Sequence, residues 1–320
     1  MPSVLVTGAG GFLGGHLVRA LAEEGAAVCA TDIKPLDGWY QVHDVASMPG
    51  ADLRHPSDCA AVMPRGLDEV YHLASDMGGM GFIESRKLAC ALNTRIDLNV
   101  FEAAAARGAG RLLYASTACV YPQRLQRSEA PEGLQEHEAY PADPEDGYGW
   151  QKLYSERLAR HYAEEAGLET RVARYHSVYG PYCTWDGGRE KAPAALCRKI
   201  AVAKRDQAGS VEVWGDGRQA RSFLHAGDAV AGTLALMRSG VREPRNIGSE
   251  DTVSIQQLAW EISGAADWYP RLAYVPGPLG VRGRTSDNTL ITKETGWTPL
   301  VELESGLAEL YAWVEAQVTG

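Results

Sequence analysis

The sequence predicts an α/β protein built on a doubly wound parallel sheet, with a smaller, interleaved C-terminal lobe. Three observations predict this class. Short β-branched segments alternate with longer helical segments through the first half of the chain, a glycine-rich turn follows the first strand, and an acidic residue ends the second strand. Parallel strands joined by helices require right-handed crossovers, so ligands are expected beyond the carboxyl ends of the strands.

The predicted elements follow one another in a regular order. The predicted strands are 4–7, 27–32, 68–74, 111–116 and 170–175, and the predicted helices are 12–24, 86–107, 146–167, 192–205 and 303–318. Beyond residue 176 the pattern is less regular and no linker separates two halves. We therefore expect one domain over 1–176, to which 222–250 returns, and a second lobe built from 177–221 and 251–320.

Composition limits the classes of function. The 320 residues carry 31 basic and 41 acidic side chains, and the net charge of −10 argues against a broad basic surface for nucleic acid or anionic membrane. No apolar run reaches the roughly 18 residues of a membrane span, and no signal peptide is recognisable, so we expect a soluble, cytoplasmic protein. The six cysteines include no Cys-x-x-Cys pair, so we expect neither a disulfide scaffold nor a metal site.

The glycine-rich run between the first strand and the first helix predicts a dinucleotide site. Gly8 permits a tight turn, Gly11 lets the backbone approach a pyrophosphate, and Gly14 allows the helix to pack closely on the strand. The pyrophosphate then rests on the free N–H groups of the helix N-terminus. Asp32 ends the second strand 18 residues after Gly14, where a carboxylate accepts hydrogen bonds from ribose hydroxyls and repels a 2′-phosphate. The glycine-rich turn and Asp32 together predict that the cofactor is NAD and not NADP.

A tyrosine and a lysine four residues apart predict a redox site. Tyr148 and Lys152 lie on one face of a predicted helix. A nearby ammonium favours the phenolate, so we expect Lys152 to lower the pKa of Tyr148 from its usual value of about 10. Tyr148 then exchanges a proton with a substrate alcohol while the nicotinamide exchanges the hydride. Thr117, just past a strand end, is placed to hold the same alcohol oxygen.

This combination, in this order along the chain, resembles the extended branch of the short-chain dehydrogenase/reductase superfamily, which has a Rossmann-type fold. Asn99 fits the asparagine that often completes the active site of that superfamily. Closer matches to the GDP-mannose 3,5-epimerase family cover nearly the whole chain, at 76–83, 118–122, 184–195, 214–217, 221–223 and 280–284. The runs Gly-Gly-Met-Gly-Phe and Gly-Gly-Arg-Glu-Lys-Ala-Pro are the most specific of these.

The resemblance implies Cys119 and Lys191 as an epimerising acid/base pair, beside Thr117, Tyr148 and Lys152 as the redox set. Oxidation of the sugar at C4 acidifies the C–H bonds at C3 and C5, a group on one face removes the proton, a group on the other returns it, and the ketone is reduced again. A thiolate suits the base role if cations lower its pKa, and a lysine suits the acid role. A lone cysteine is ordinarily a small buried hydrophobe, and Cys119 differs by lying at a strand end.

The expected contacts form two sets. The expected cofactor contacts are Gly8, Gly11, Phe12, Leu13, Gly14, Asp32, Asp52, Leu73, Ala74, Asn93, Tyr148 and Lys152. The expected substrate contacts are Gly78, Gly79, Met80, Ser177, Lys191, Trp214, Arg221, Arg282 and Arg284. The three arginines are expected to gather around the diphosphate or the base of a nucleotide sugar, because a guanidinium binds phosphate in a bidentate fashion.

Several positions depart from the family pattern. Ser177 stands where the family usually has asparagine, Tyr140 replaces a tryptophan, Thr117 replaces a serine, and Trp150-Gln151 is unusual inside the Tyr/Lys motif. The base and sugar therefore stay open, and a related epimerase for another nucleotide hexose or heptose, including a simple 4-epimerase, is an alternative. A 4,6-dehydratase is a weaker alternative, because it is expected to carry Asp-Glu where this chain has Ala118-Cys119.

A protein of a different class, which binds the nucleotide as a sensor without chemistry, has no need of Tyr148 and Lys152. The resemblance also implies a homodimer, in which the helices near 86–107 and 146–167 of two copies form a four-helix contact.

Overall fold

The computed structural model describes all 320 residues. Its strands are β1 (Ser3–Thr7), β2 (Ala27–Asp32), β3 (Ala46–Pro49), β4 (Glu69–His72), β5 (Arg111–Thr117), β6 (Gly133–Leu134), β7 (Glu169–Tyr175), β8 (Val178–Tyr179), β9 (Ser210–Trp214), β10 (Ala220–Ser222), β11 (Leu224–His225), β12 (Arg245–Ile247), β13 (Thr252–Ser254), β14 (Arg271–Val275) and β15 (Gly283–Ser286). Its α-helices are α1 (Phe12–Glu23), α2 (Pro56–Val62), α3 (Met80–Ser85), α4 (Lys87–Arg107), α5 (Asp146–Glu165), α6 (Ala192–Arg205), α7 (Ala226–Arg238), α8 (Ile255–Ala266), α9 (Thr289–Thr295) and α10 (Leu303–Thr319).

Seven parallel strands form the central sheet, in the order β12-β7-β5-β4-β1-β2-β3. The chain winds outwards in both directions from β1, which opens a crevice at the carboxyl ends of β1 and β4. α1 and α7 pack on one face of the sheet, and α2, α4 and α5 pack on the other. β1 is buried from Val4 to Thr7, as a strand covered on both faces must be. The predicted doubly wound fold is confirmed.

A second apolar core lies outside this sheet. It is formed mainly by α6, α8 and α10, with β9 against them. A mixed sheet in the order β13-β10-β15-β6 lies beside it and carries two arginines into neighbouring positions, because Arg221 of β10 pairs with Arg284 of β15. None of the helices is both long and apolar enough to cross a membrane.

The predicted elements lie within about two residues of the observed bounds at most ends. Fifteen elements were not predicted: eleven are short strands or short helices, mostly beyond residue 176, and the other four are β3, α2, α7 and α8. The four residues of β3, Ala-Ser-Met-Pro, are exposed or half-exposed and form no apolar run. α8 begins at a capping box in which the side chains of Ser254 and Gln257 each bond the other's backbone N–H.

Candidate active site

The glycine-rich turn forms a cradle at the start of α1. Gly8 has a φ of +72°, and a Cβ there would lie 2.8 Å from the backbone nitrogen of Ala74. A Cβ on Gly14 would collide with the carbonyl oxygen of Gly8. No side chain caps the first turn of α1, which begins after Gly11. The turn therefore leaves helix N–H groups, including those of Phe12 and Leu13, facing a space that suits a pyrophosphate.

The strand ends next to this turn supply the rest of the predicted cofactor site. Asp32 is buried at the end of β2 and accepts a hydrogen bond from the backbone N–H of Lys34 at 3.0 Å. The Lys34 ammonium reaches back to the Gly10 carbonyl at 2.9 Å, a contact that the sequence did not predict. The backbone N–H groups of Leu73 and Ala74 bond to Thr7, which fixes the end of β4 against the turn.

Two asparagines on α4 differ in what they hold. Asn93 is buried, and its amide bonds both the N–H and the carbonyl of Asp76, at 2.7 and 3.0 Å, so it shapes the loop after β4. Asn99 instead donates to the Leu53 carbonyl at 2.9 Å. The expectation that Asn99 completes the active site is therefore wrong, because its amide is turned towards the segment before α2.

The Asp52 carboxylate is largely occupied by hydrogen bonds from Arg54. Arg54 donates to it with both its backbone N–H and its guanidinium, the shortest distance being 2.6 Å. The hydrogen bond from the Arg54 side chain keeps the pKa of Asp52 below its ordinary value. The group is a carboxylate with little capacity left for a further donor.

Tyr148 and Lys152 lie at the same end of the sheet as Thr117. Both are buried, and the Thr117 hydroxyl is close enough to the Tyr148 phenol to exert a lowering influence on its pKa. The Lys152 ammonium donates to the Ala115 carbonyl at 2.9 Å and lies 4.7 Å from the centre of the Tyr114 ring. Burial raises the pKa of Tyr148, so the predicted lowering by Lys152 is wrong for this arrangement. The reason is that the ammonium is directed at the β5 backbone.

A fully buried carboxylate, which no sequence motif predicts, lies behind Lys152. Asp97 accepts hydrogen bonds from His72 at 3.0 Å, Tyr114 at 2.7 Å and Gln151 at 2.6 Å. Burial lowers the pKa of Lys152, and the negative charge of Asp97 opposes that shift. Gln151, unusual in the motif, thus ties α5 to this carboxylate.

Cys119 lies among polar groups at the strand end and not in a purely apolar pocket. An Arg284 Nη1 is 3.4 Å from the Cys119 Sγ, and Arg284 also donates to Gln126 and, at 2.8 Å, to Glu145. The Cys119 N–H donates to the Thr117 hydroxyl oxygen at 3.2 Å, and the Glu145 carboxylate lies near the thiol. Burial, together with the charge of Glu145 and against the opposing charge of Arg284, raises the pKa of Cys119 to about 11.

Lys191 immediately precedes α6 and faces the same space. A Cβ on Gly79 would collide with the carbonyl oxygen of Glu190, so the glycine lets the loop before α3 pack against this segment. Burial of the Lys191 amine lowers its pKa, and the largest opposing influence is that of Cys119. The Glu190 carboxylate is bonded to Arg198 at 2.9 Å. Lys191 and Cys119 are close enough for their charges to interact, and their role as an acid/base pair stays a prediction.

The three arginines that were predicted to bind substrate do not lie together. Arg221 lies beside Arg284 and donates to backbone carbonyls, and burial followed by the Arg284 charge lowers its pKa to about 10. Arg282 instead bonds Asp216, at 2.8 and 2.9 Å, and Glu129. The expected gathering is wrong for Arg282, since two surface carboxylates hold its guanidinium.

The remaining predicted contacts line the approach to the site. Ser177 has a φ of +32°, a left-handed conformation that asparagine adopts more readily than serine. Met80 packs against the cluster of Cys119 and Tyr148, and the half-exposed ring of Trp214 lies within 4 Å of where a Cβ on Gly81 would be. A cavity of about 850 Å³ opens beside them, lined among others by Met80, Gln126, Glu145, Trp150 and Gly280.

The cradle, the buried tyrosine and lysine and the crevice at the strand ends define the class. The sequence matches the NAD dependent epimerase/dehydratase family over residues 4–248, and the chain belongs to that family. It is 44% identical over 316 residues to GDP-mannose 3,5-epimerase 1 of Oryza sativa subsp. japonica, which covers 98% of this chain and 82% of the relative. The predicted resemblance to the GDP-mannose 3,5-epimerase family is thereby confirmed.

Solved structures agree with the fold. A UDP-glucose 4-epimerase from Thermotoga maritima superposes with a TM-score of 0.85 over 99% of both chains, at 23% identity. MoeE5, solved in complex with UDP-glucose and NAD, superposes with a TM-score of 0.82 at 27% identity, over 99% of this chain and all of its own. The prediction of an NAD-dependent enzyme of the nucleotide-sugar epimerase kind is confirmed by the family and by these relatives.

Proposed function

We propose that this protein epimerises a nucleotide sugar, with GDP-mannose as the first candidate, by proton exchange next to a transient ketone at C4. The observation that carries the proposal is the enclosure of two protonatable groups, Cys119 and Lys191, in the space that also holds Tyr148 and Thr117. A 4-epimerase needs only the redox set. The identity to a GDP-mannose 3,5-epimerase over 98% of the chain supports both the reaction and the nucleotide.

The residues of the cradle fit NAD. The left-handed turn at Gly8, the close approach at Gly14, the uncapped start of α1 and the buried Asp32 are the features that a dinucleotide requires. A buried Ser75 hydroxyl without a partner lies just beyond β4 and leaves one more polar group for a ligand. Bound there, NAD supplies reversible oxidation and reduction at C4 of the sugar.

Tyr148 and Thr117 act on the C4 oxygen in this proposal. The two hydroxyls lie close together at the end of the sheet, so one sugar oxygen can contact both. Tyr148 takes the proton from the C4 hydroxyl and later returns it. Lys152 keeps a positive charge behind the phenol, anchored on Ala115, with Asp97 as its counter-charge.

Cys119 and Lys191 then exchange protons with the carbon atoms adjacent to the ketone. The ketone stabilises the carbanion as an enolate, so a side chain of moderate basicity suffices. One group removes the proton and the other delivers a proton to the opposite face, which inverts C3, C5 or both. We also propose Gly78, Gly79, Met80, Ser177, Trp214, Arg221 and Arg284 as substrate contacts, and we leave out Arg282 because Asp216 and Glu129 occupy its guanidinium.

We propose a homodimer through α4 and α5. Large apolar side chains are exposed at a spacing of four residues on each helix: Leu88 and Leu92 on α4, and Trp150 and Tyr154 on α5. Residues four apart share a face, and a contiguous exposed apolar patch marks an interaction site. Light scattering after size exclusion is expected to give twice the chain mass, and Trp150→Glu is expected to give monomers. Trp260→Glu, at an exposed tryptophan on α8, is the control.

Two further expectations stand as proposals. A division into an NAD-binding part, 1–176 with 222–250, and a substrate lobe, 177–221 with 251–320, is supported by β12 joining the central sheet and by the separate core of α6, α8 and α10. A cytoplasmic location is supported by six free cysteines, most of them buried.

The proposed reaction is tested with purified protein and a panel of GDP-mannose, UDP-glucose and other nucleotide hexoses and heptoses. Chromatography of the products with sugar analysis is expected to show C3 or C5 epimers from GDP-mannose. Conversion of UDP-glucose to its C4 epimer alone would contradict the proposal and favour a 4-epimerase. No turnover of any sugar, with nucleotide still bound, would favour a sensor protein.

A further inference from the structure

A chain of buried hydrogen bonds joins the strand end beside the nucleotide cradle to α5, the helix that carries the redox pair. The Thr7 hydroxyl, at the end of β1, accepts from the backbone N–H of Ala74 at 3.3 Å and lies 2.8 Å from the Nδ1 of His72. The Nε2 of His72 is 3.0 Å from one carboxylate oxygen of Asp97 on α4. The other oxygen of Asp97 accepts from the Gln151 amide on α5 at 2.6 Å. The chain therefore runs without a break from the edge of the cradle to α5.

Asp97 is ionised although it is fully buried. Burial alone would raise its pKa, but the hydrogen bond from His72 and the positive charge of Lys152 outweigh burial and hold the pKa at about 2. Tyr114 of β5 donates to Asp97 as well, at 2.7 Å. Three side-chain donors thus converge on one group, and a carboxylate meets them all because it only accepts.

The donors along the chain all point towards Asp97. Because the carboxylate only accepts, the Nε2 of His72 carries the proton that it shares with Asp97. The Nδ1 of a neutral imidazole then accepts, and it accepts from the Thr7 hydroxyl, whose oxygen in turn takes the N–H of Ala74. Strands β1, β4 and β5 and helix α5 are therefore all tied to a single carboxylate on α4.

We propose that Asp97 is a positioning residue for the exchange of hydride and proton at C4, which holds the tyrosine and the lysine of α5 in place relative to the cofactor cradle. This role rests on the proposed function. Tyr148 lies three residues before Gln151 on α5 and Lys152 directly follows it, so a displacement of Gln151 moves both. The Lys152 ammonium also lies 4.7 Å from the centre of the Tyr114 ring, whose hydroxyl donates to Asp97. The carboxylate thus fixes both the helix and the ring against which the ammonium rests.

The first test compares turnover with binding. Asp97→Asn turns an NH₂ group towards at least one of the donors, and kcat for GDP-mannose is expected to fall about 10–100-fold, because a displacement of about 1 Å at a reacting group has effects of this size. KM and NAD content are expected to remain close to their wild-type values, since the substrate lobe and the glycine-rich turn are unchanged. Gln151→Met removes only the link to α5 and is expected to lower kcat less.

A buried carboxylate in another part of the molecule provides the matched control. Asp228, on α7, accepts from the backbone N–H groups of Leu300 and Val301. Asp228→Asn is expected to lower the temperature of thermal unfolding and to leave kcat unchanged. The comparison separates the loss of a buried acceptor from the loss of a position in the active site.

Moving the charge from α4 to α5 separates a positioning role from a merely structural one. Gln151→Glu alone places a second carboxylate against Asp97, and kcat is expected to fall because like charges repel in a buried site. In the double variant, Asp97→Asn with Gln151→Glu, the amide at 97 still accepts from His72 and donates to the carboxylate at 151. One negative charge again joins the two helices, and most of the activity lost in either single variant is expected to return.

The second test needs no substrate. Hydrogen–deuterium exchange of the NAD-loaded protein, measured by mass spectrometry, is expected to be faster over 146–155 in Asp97→Asn and to return towards the wild-type rate in the double variant. Exchange over 146–155 is also expected to be faster in Gln151→Met, which keeps the test open if Asp97→Asn does not fold.

A wild-type kcat in Asp97→Asn would overturn the proposal, as would unchanged exchange over 146–155 in Asp97→Asn or in Gln151→Met. A double variant with lower activity than both single variants would overturn it as well. If the wild-type protein turns over none of the nucleotide sugars, the proposed function fails, and the exchange over 146–155 still decides whether Asp97 holds α5.

Discussion

The nucleotide cradle and the proton-exchange site lie at the same edge of one sheet, but they are built in opposite ways. The cradle uses backbone: Gly8, Gly14 and the first turn of α1 leave room and N–H groups for a ligand. The proton-exchange site uses buried charged side chains from distant parts of the chain, such as Glu145 and Arg284. Shape therefore determines binding in the first region, and the balance of charges determines reactivity in the second.

The largest effect is expected from removing one hydroxyl in the reactive region. Tyr148→Phe keeps the ring in its buried position but has no group to take the C4 proton, so kcat is expected to fall about 10²–10⁴-fold. NAD content is expected to stay high, because the cradle is unchanged. Tyr140→Phe, at a half-exposed tyrosine outside the cluster, is the control and is expected to keep wild-type kcat. A Tyr148→Phe protein with normal kcat would show that proton transfer at C4 does not use this residue.

A single methyl group added at Gly14 is expected to reduce NAD binding at the cradle. Gly14→Ala puts a Cβ against the Gly8 carbonyl oxygen, which costs about 1–3 kcal/mol of overpacking and displaces the helix start. Thermal unfolding and the NAD content of the purified protein are both expected to decrease. Gly209→Ala is the control, since a Cβ there meets no atom within 4 Å. Undiminished NAD content in Gly14→Ala would mean that the dinucleotide does not use this turn.

A smaller effect is expected at Asp32, at the end of β2, whose charge favours NAD over NADP. Asp32→Ser removes the carboxylate that would bond the ribose and repel a 2′-phosphate, and it leaves Lys34 beside the site. NAD affinity, measured by calorimetry, is expected to fall about tenfold relative to NADP. Asp37→Ser, in the exposed turn that follows, is expected to change neither affinity. An unchanged ratio in Asp32→Ser would place cofactor selection elsewhere.

The contrast between a site built from one local segment and a site built from distant side chains explains which features could be predicted from the sequence. The cradle and the central sheet were predictable because Gly8, Gly14 and Asp32 act within a short stretch whose spacing is tied to one strand–turn–helix unit. Tyr148 and Lys152 were recognisable for the same reason, but the raised pKa of Tyr148 depends on burial, which no motif records. The motif identifies the residues, but their protonation states depend on their surroundings in the folded protein.

The pairing of Glu145 with Arg284 could not be predicted, since 139 residues separate them. The parallel pairing of β10 with β15 places Arg221 beside Arg284, and this pairing brings both guanidinium groups to the region of Cys119. Arg282, two residues before Arg284, was expected in the same group and lies instead with Asp216 and Glu129. Motif position alone therefore did not separate an arginine of the site from one of the surface.

Proton exchange next to the ketone is tested most directly by incubating the wild-type protein with GDP-mannose in deuterated water and examining the recovered nucleotide sugar by NMR and mass spectrometry. We predict deuterium at C3, at C5 or at both, with the nucleotide and the carbon skeleton intact. Recovery of the sugar without deuterium at either carbon, from protein that holds NAD, would contradict it.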